Sequence, residues 1–445
     1  MATKKRSWLL WLAAVFVLIV AAVIAVPFVV PMAKFVPQIE QLASKALGQP
    51  VKVSSLRLQM VPTPRVVIAG LDIGAHHEIT AGKVSVVPVV GTLLSGPRQI
   101  GLVRAEDLTV RESAIKMLDT LPKGGGGSVP ILVRRVELRN VAFEHHALKL
   151  PHFDATIDLD SALKPKTVRL STRDGALVAT ATPSVAGSVG FEVKAKNWKL
   201  PFAQAPLVFE QLDLQGIYAG NQVEVPTLKG RIYGGTLKGR VHADWERLWR
   251  VKGKAKLAGV ELEPLERVLR KPVKLTGKLT TEARYSAVAK TPERLADALV
   301  LDAPFSVAGG VYHGIDLSRL SERPLGKLAP GGETKFEELR GKLALRGRHT
   351  RLSELCVRSP LLSAAGHVEI APDQKLSGKL DVSLRKTGGV IGVPVALSGT
   401  TQDPSVSLTK GAAIGAVIGT VLLPVIGTQL GMSAGSSIEG KASCK

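Results

Sequence analysis

Residues 228–241 read LKGRIYGGTLKGRV. One five-residue figure occurs there twice: apolar, any residue, Gly, basic, apolar. Its copies are Leu228-Lys229-Gly230-Arg231-Ile232 and Leu237-Lys238-Gly239-Arg240-Val241. The figure returns as VKGKA from 251, LTGKL from 275, LRGKL from 339 and LSGKL from 376, with an imperfect LRGRH from 345. A strand sends alternate side chains to opposite faces. Leu339, Gly341, Leu343 and Leu345 therefore share one face, and Arg340, Lys342, Ala344 and Arg346 the other. Likewise Leu376, Gly378 and Leu380 stand against Ser377, Lys379 and Asp381. The figure is a one-sided strand, with one face apolar and notched by glycine and the other largely polar or cationic.

Glycine weakens a strand, so the space it leaves must have a use. Two uses are open. In one, the apolar face packs on a second sheet and each Gly admits a bulky neighbour or a twist. In the other, the apolar faces line a groove whose notches leave room for acyl chains. Aromatic residues make up only 4% of the chain, so few rings would obstruct such a groove. The groove candidates are Leu237, Gly239, Val241, Leu275, Gly277, Leu279, Leu339, Gly341, Leu343, Leu376, Gly378 and Leu380.

Outward from this stretch, the 445 residues suffice for two or three domains or one elongated repeat body. Forty-four glycines and 27 prolines favour many short strands joined by turns. Helical spacing over 35–47 stops at Gly48 and Pro50. VKVSSLRLQM then alternates, slips one place at Ser54-Ser55 and alternates again, which reads as a bulged strand. Further alternating runs are VVIAGLDIG, VSVVPVV, GLVRAEDLTVR and VRRVELRNVAFEHH. LPKGGGGSVP is a flexible linker, so a boundary is placed at 123–130, between an N-terminal region over 35–122 and a β-rich body over 131–410. Two short helices are expected within that body, at 261–270 and 292–300.

Formal net charge is +22, which first suggests nucleic acid. The N-terminus argues otherwise. Lys4, Lys5 and Arg6 precede an uncharged stretch from Ser7 to Ala33, long enough for a membrane-spanning helix. Trp8 and Trp11 near its basic end suit interface anchors. Signal peptides have shorter apolar regions and a small-x-small cleavage site. Residues 1–34 therefore read as a cytoplasmic tail and an uncleaved single span, with everything after Lys34 exported. An exported body has no nucleic acid to meet. Its charge faces anionic head groups or keeps a strand-rich chain soluble.

Residues 411–437 are uncharged, and Gly411, Gly415, Gly419, Gly427 and Gly431 fall in one register of four. On a helix this stripe permits close backbone contact, so the tail over 411–445 enters a membrane or docks on an integral membrane protein. The other reading is an apolar cap over the last strands. Cys356 and Cys444 are too few for a disulfide scaffold and have no zinc-ligand spacing. Two unpaired thiols are expected, with a bridge open only in an oxidising compartment.

No nucleophile elbow, His-Glu-x-x-His or phosphate-loop pattern occurs. The pairs His76-His77 and His145-His146 are adjacent, so on a strand their side chains diverge, and no third metal ligand is spaced nearby. Asp158 and Asp160 share a face near Asp154, but no nucleophile or orienting group accompanies them. No catalytic, cofactor or metal site is expected.

Taken in order, these segments form a longer signature. LGQPVKVSSLRLQMVPTPRVVIAGLDIG follows the apolar N-terminus, then VSVVPVVGTLLSG and GLVRAEDLTVR. IYGGTLKGRV, AGVELEPLERVL, VKLTGKL and GGVYHGIDLSRL come next, and SPLLSAAGHVEI and VPVALSGTTQDPSVSL close it. Over most of 1–410 the chain resembles the AsmA-like proteins of double-membrane bacterial envelopes. The resemblance implies a single-pass inner-membrane protein with a periplasmic body: an elongated, curved antiparallel sheet with an apolar groove. It implies a part in outer-membrane biogenesis and in binding or transferring lipid, phospholipid foremost, as in the bridge-like lipid transfer proteins. The alternatives are an interaction scaffold assisting outer-membrane protein assembly without carrying lipid and, last, a hydrolase acting on envelope material.

Overall fold

The computed structural model describes residues 32–94, 98–114, 117, 132–145, 148–184, 187–200, 207–269, 275–314, 316, 332–360, 362–386, 389–410 and 444. The apolar N-terminal run, the linker at 123–130 and the glycine-striped tail lie outside the described residues. None of the described helices is long and apolar enough to cross a membrane. The chain is mainly β with a few short helices, and its strand pairs are antiparallel with few exceptions. It divides into two compact units, Met1–Phe191 and Glu192–Lys445.

In the first unit, β1 (Val51–Gln59), β2 (Arg65–Ile73), β3 (Ile79–Pro88) and β4 (Gln99–Arg111) pair antiparallel in sequence. β5 (Leu132–Val133) and β6 (Arg135–His145) then lie parallel to β4. A parallel pair needs a crossover of a dozen residues or more, and the segment after Arg111 supplies it. β7 (Leu148–Lys149), β8 (Phe153–Leu159), β9 (Pro165–Thr172) and β10 (Leu177–Pro183) return to antiparallel pairing, and β11 (Ser188–Lys199) crosses the unit boundary. The alternation of burial slips at Ser54-Ser55, with Val51 and Val53 buried before it and Leu56 after it, but the expected bulge is absent from the β1–β2 ladder, whose register runs on unshifted from Val53–Leu71 to Ser55–Ala69.

The helix Val36–Leu47 ends at Gly48, whose φ of 63° favours glycine. Its side chains cover β1. Ser44 Oγ accepts the Val51 N–H at 2.9 Å, and Glu40 Oε1 accepts the Val53 N–H at 2.7 Å. An uncovered edge would template further strands. The buried face centres on Ala81, Val84 and Ala105, with Ile68, Leu71 and Val103 against them. On the outward face cations meet carboxylates across the ladder: Lys83 with Glu106, Arg104 with Glu137, Arg135 with Asp158.

The second unit is a meander. β12 (Val208–Ala219), β13 (Gln222–Ile232), β14 (Gly235–Asp244), β15 (Trp249–Glu261), β16 (Lys278–Ala289) and β17 (Val300–His313) each pair antiparallel with the next. β18 (Glu333–Arg346), β19 (His349–Arg358), β20 (Leu362–Ile370), β21 (Leu376–Lys386), β22 (Gly389–Gly399) and β23 (Pro404–Leu408) continue the order. One of its cores gathers Leu362, Ala364, Val382, Val393, Val395 and Val406, with Tyr312 and Val357 packed against them.

Two expectations change here. The helix at 261–270 forms as Leu262–Leu269, but 292–300 yields only a 3-10 turn at Pro292–Arg294. Leu299 is taken by the sheet instead, its carbonyl accepting the Gly347 N–H at 2.7 Å just before Val300 opens β17. The two cysteines are not free thiols: Cys356 and Cys444 form a disulfide, with 5.3 Å between their Cα atoms. That separation lies within the ordinary span of a bridge. Eighty-eight residues part the two in sequence, so spacing could not reveal the pairing.

Candidate functional site

The opening stretch is the hairpin β13–β14. Tyr233 and Gly234 form its two-residue turn with φ of 45° and 72°, the positive pair of a type I′ turn. The turn sets the register of the two figures. Leu228 faces Gly239, and Leu237 faces Gly230. Each copy's glycine thus stands opposite the other copy's leucine.

The same rule runs through the unit. Gly253 faces Tyr285, Gly341 faces Phe305, Gly310 faces Phe336 and Gly366 faces Leu380. The notches are accordingly not open. A Cβ on Gly341 would stand 2.9 Å from Leu355 Cδ2 and 3.2 Å from the Phe305 ring. One on Gly239 would meet the Lys254 carbonyl at 2.9 Å, and one on Gly378 the His367 carbonyl at 2.5 Å. Gly277 has a φ of 125° and would press on Val307. The expectation that notches leave room for acyl chains is corrected: the protein's own rings and carbonyls occupy them. LRGRH at 345 differs again, since Gly347 and Arg348 form the β18–β19 turn.

What remains accessible is the surface between the glycines. The ladders align Val225, Val241, Gly253, Tyr285, Leu301, Leu345, Thr350, Ile370 and Leu376 into one row crossing the strands. Eight strand spacings make this row about 38 Å long. Beside it run Leu237–Leu257–Thr281–Phe305–Gly341 and Ala303–Leu343–Leu352–Val368–Gly378–Leu397. A fourth row, Val260–Leu279–Val307–Leu339–Val357–Ala364–Val382, is the closed side, with Val260, Val307, Ala364 and Val382 at 0–1% exposure. Leu237, Val241, Leu257, Leu301, Leu343 and Leu345 are only partly buried. Ten of the twelve candidates lie in or beside these strands on one face; Leu275 and Gly277 precede β16, with Leu275 bridged to Tyr312. Gly411, Gly415, Gly419, Gly427 and Gly431 lie outside the described residues.

The opposite face is polar. A hollow of about 1090 Å³ lies beside Cys356 and Cys444, lined both by charged side chains such as Lys256, Arg340 and Glu354 and by Pro304, Phe305, Leu355 and Ala365. The carboxylates singled out in the first unit have structural partners: Asp154 with Arg139, Asp158 with Arg135, and Asp160 with the N–H groups of Ala162 and Lys164. His77 meets Asp72. No group of three metal-ligating side chains occurs among the described residues.

Comparison of the chain with family models, curated proteins and solved structures found no match. The aromatic stack Tyr218–Trp245–Trp249, with centroids 6.3 and 5.2 Å apart, was not singled out in the sequence. Its members sit 27 and 4 residues apart, at strand ends that only the meander brings together.

Proposed function

We propose that this protein handles lipid in a double-membrane bacterial envelope, holding phospholipid acyl chains along the apolar face of β13–β21. The observation that carries the reading is the accessible row from Val241 to Leu376, about 34 Å of continuous, mostly apolar surface. Leucines left partly in water across several neighbouring strands mark a ligand or partner surface more than a finished core. The resemblance of the ordered segments to AsmA-like proteins supports the same reading. So does the apolar run after Lys4, Lys5 and Arg6, which suits an inner-membrane anchor with the body in the periplasm. The Cys356–Cys444 bridge fits an oxidising compartment.

The test is mass spectrometry of lipids that co-purify with residues 35–445. Phospholipid in stoichiometric amounts is the expected result. Its repeated absence from folded protein sinks the lipid-carrying reading and leaves an assembly scaffold.

A further inference from the structure

We propose that one strand-end rim of the second unit, with the outward face beside it, docks on an anionic lipid bilayer. The first observation is apolar. Ile217, Tyr218, Val288 and Val300 are 50%, 41%, 49% and 36% exposed, and they are the large apolar side chains most exposed among the described residues of that unit. They do not scatter. The meander puts the end of β12, the end of β16 and the start of β17 on one rim. Ile217 and Val300 lie on a single outward row that passes through Glu224, His242, Lys252 and Ser286 and runs on from Val300 to Arg346. The Tyr218–Trp245–Trp249 stack stands on the same rim. Two of the three tryptophans in the described residues are therefore here. Trp and Tyr side chains, with apolar bodies and polar tips, favour the boundary between lipid and water.

The second observation is charge. Behind the rim, the outward face sets like charges directly opposite one another: Lys229 with Lys238, Lys238 with Lys256, Arg240 with Lys254, Lys254 with Arg284. Like charges so placed destabilise a sheet. The first unit closes ion pairs across the ladder at Lys83, Arg104 and Arg135, whereas here Asp213, Glu282 and Asp302 stand opposite Lys229, Lys256 and Arg284 only at the margins of the cationic block. In β13–β16 these six cations have no ion-pair partner among the described residues. Neighbouring strands are about 4.8 Å apart and same-face residues along a strand about 6.8 Å, so the cations form a lattice of sites. An extended array of lipid phosphates complements such a lattice, and exposed aliphatics with aromatics at its margin enter the acyl boundary. An acidic protein would match the charge but not the apolar rim.

This docking stands apart from lipid carriage. Vesicle binding reads the rim and outward face; co-purified lipid reads the apolar rows. The full chain is placed in phosphatidylcholine nanodiscs and mixed with vesicles of phosphatidylcholine, or of phosphatidylcholine with phosphatidylglycerol. Flotation measures how much protein joins the vesicles. Strong co-flotation with the anionic vesicles, lost at high salt, is expected. At about fivefold per cation, K238E with K254E weakens it about 25-fold or more. I217D with V288D also releases the protein while the far-UV spectrum and melting temperature stay near those of the parent. Brominated vesicle lipid gives a second reading independent of those variants: it quenches tryptophan fluorescence, and W245F with W249F removes the quenching. Equal flotation on both vesicle types, flotation unmoved by the substitutions, undiminished quenching in W245F/W249F, or nanodiscs that associate only with one another overturns the proposal.

Discussion

Phe305 on β17 lies directly across the ladder from Gly341 on β18, and its ring stands 3.2 Å from where a side chain at 341 would begin. The repeated figure is therefore a packing rule between neighbours in a meander. Glycine on one strand receives a large apolar residue from the next. Gly341→Leu is expected to overpack against Phe305 and Leu355, costing about 1–3 kcal/mol by thermal or urea melting. Phe305→Ala alone leaves a hole and also destabilises. Because the two sites touch, the double variant should be more stable than the sum of the single losses requires, with a coupling of about 0.5–3 kcal/mol. Strict additivity would show that Phe305 does not fill the notch.

The accessible row makes a different prediction. Leu301 and Leu345 face each other within it and are only partly buried. Replacing both with Gln removes apolar contact without opening a closed core. The expected result is a loss of co-purifying phospholipid with a stability change of about 1 kcal/mol per site, smaller than full burial would give. Lipid content equal to the parent's in the folded double variant would remove this row from the proposed path.

Much of this architecture was legible because alternation is local. The face assignment at 339–346 and the stop at Gly48 each depend on a few adjacent residues, and the structure places both as read; at Ser54-Ser55 the alternation slips as read, without the expected bulge. What the glycines admit was not legible. Whether Gly341 opens a space or receives a ring depends on which residue of β17 stands opposite, and register is set by turns rather than by the strand itself. The disulfide and the aromatic rim were hidden for the same reason, since both join residues through the meander and not along the chain. The short helix expected at 292–300 failed because β17 pairing claimed its last residues.

Tyr312 gives a pH test. It packs against the buried valine cluster of β20–β23, and burial raises its phenol above the ordinary value of 10.0. The folded state therefore holds the proton more tightly than the unfolded chain does. The sign follows by linkage: the contribution is fully present below the unfolded pKa and is lost as pH rises through the folded one. The melting temperature should fall steeply above pH 10.0, and Tyr312→Phe should flatten that fall without changing stability near neutrality by more than a small amount. An alkaline profile identical in the variant would assign the fall to other groups.

The bridge between Cys356 and Cys444 leads to the last prediction. Cys356 is 4% exposed on β19, and the bond closes a loop over 88 residues of sequence that includes β20 to β23. Cross-linking so long a loop restricts the unfolded chain, a stabilisation of about 2–4 kcal/mol. Protein purified without reductant should show no thiol that reacts under denaturing conditions. Reductant, or Cys444→Ser, should lower the urea midpoint by the corresponding amount. Cys444→Ser is the cleaner variant, because Cys356→Ser also places a hydroxyl among buried residues. Two reactive thiols in protein taken directly from cells would mean that the bond does not form in its native compartment, and would count against export of the body.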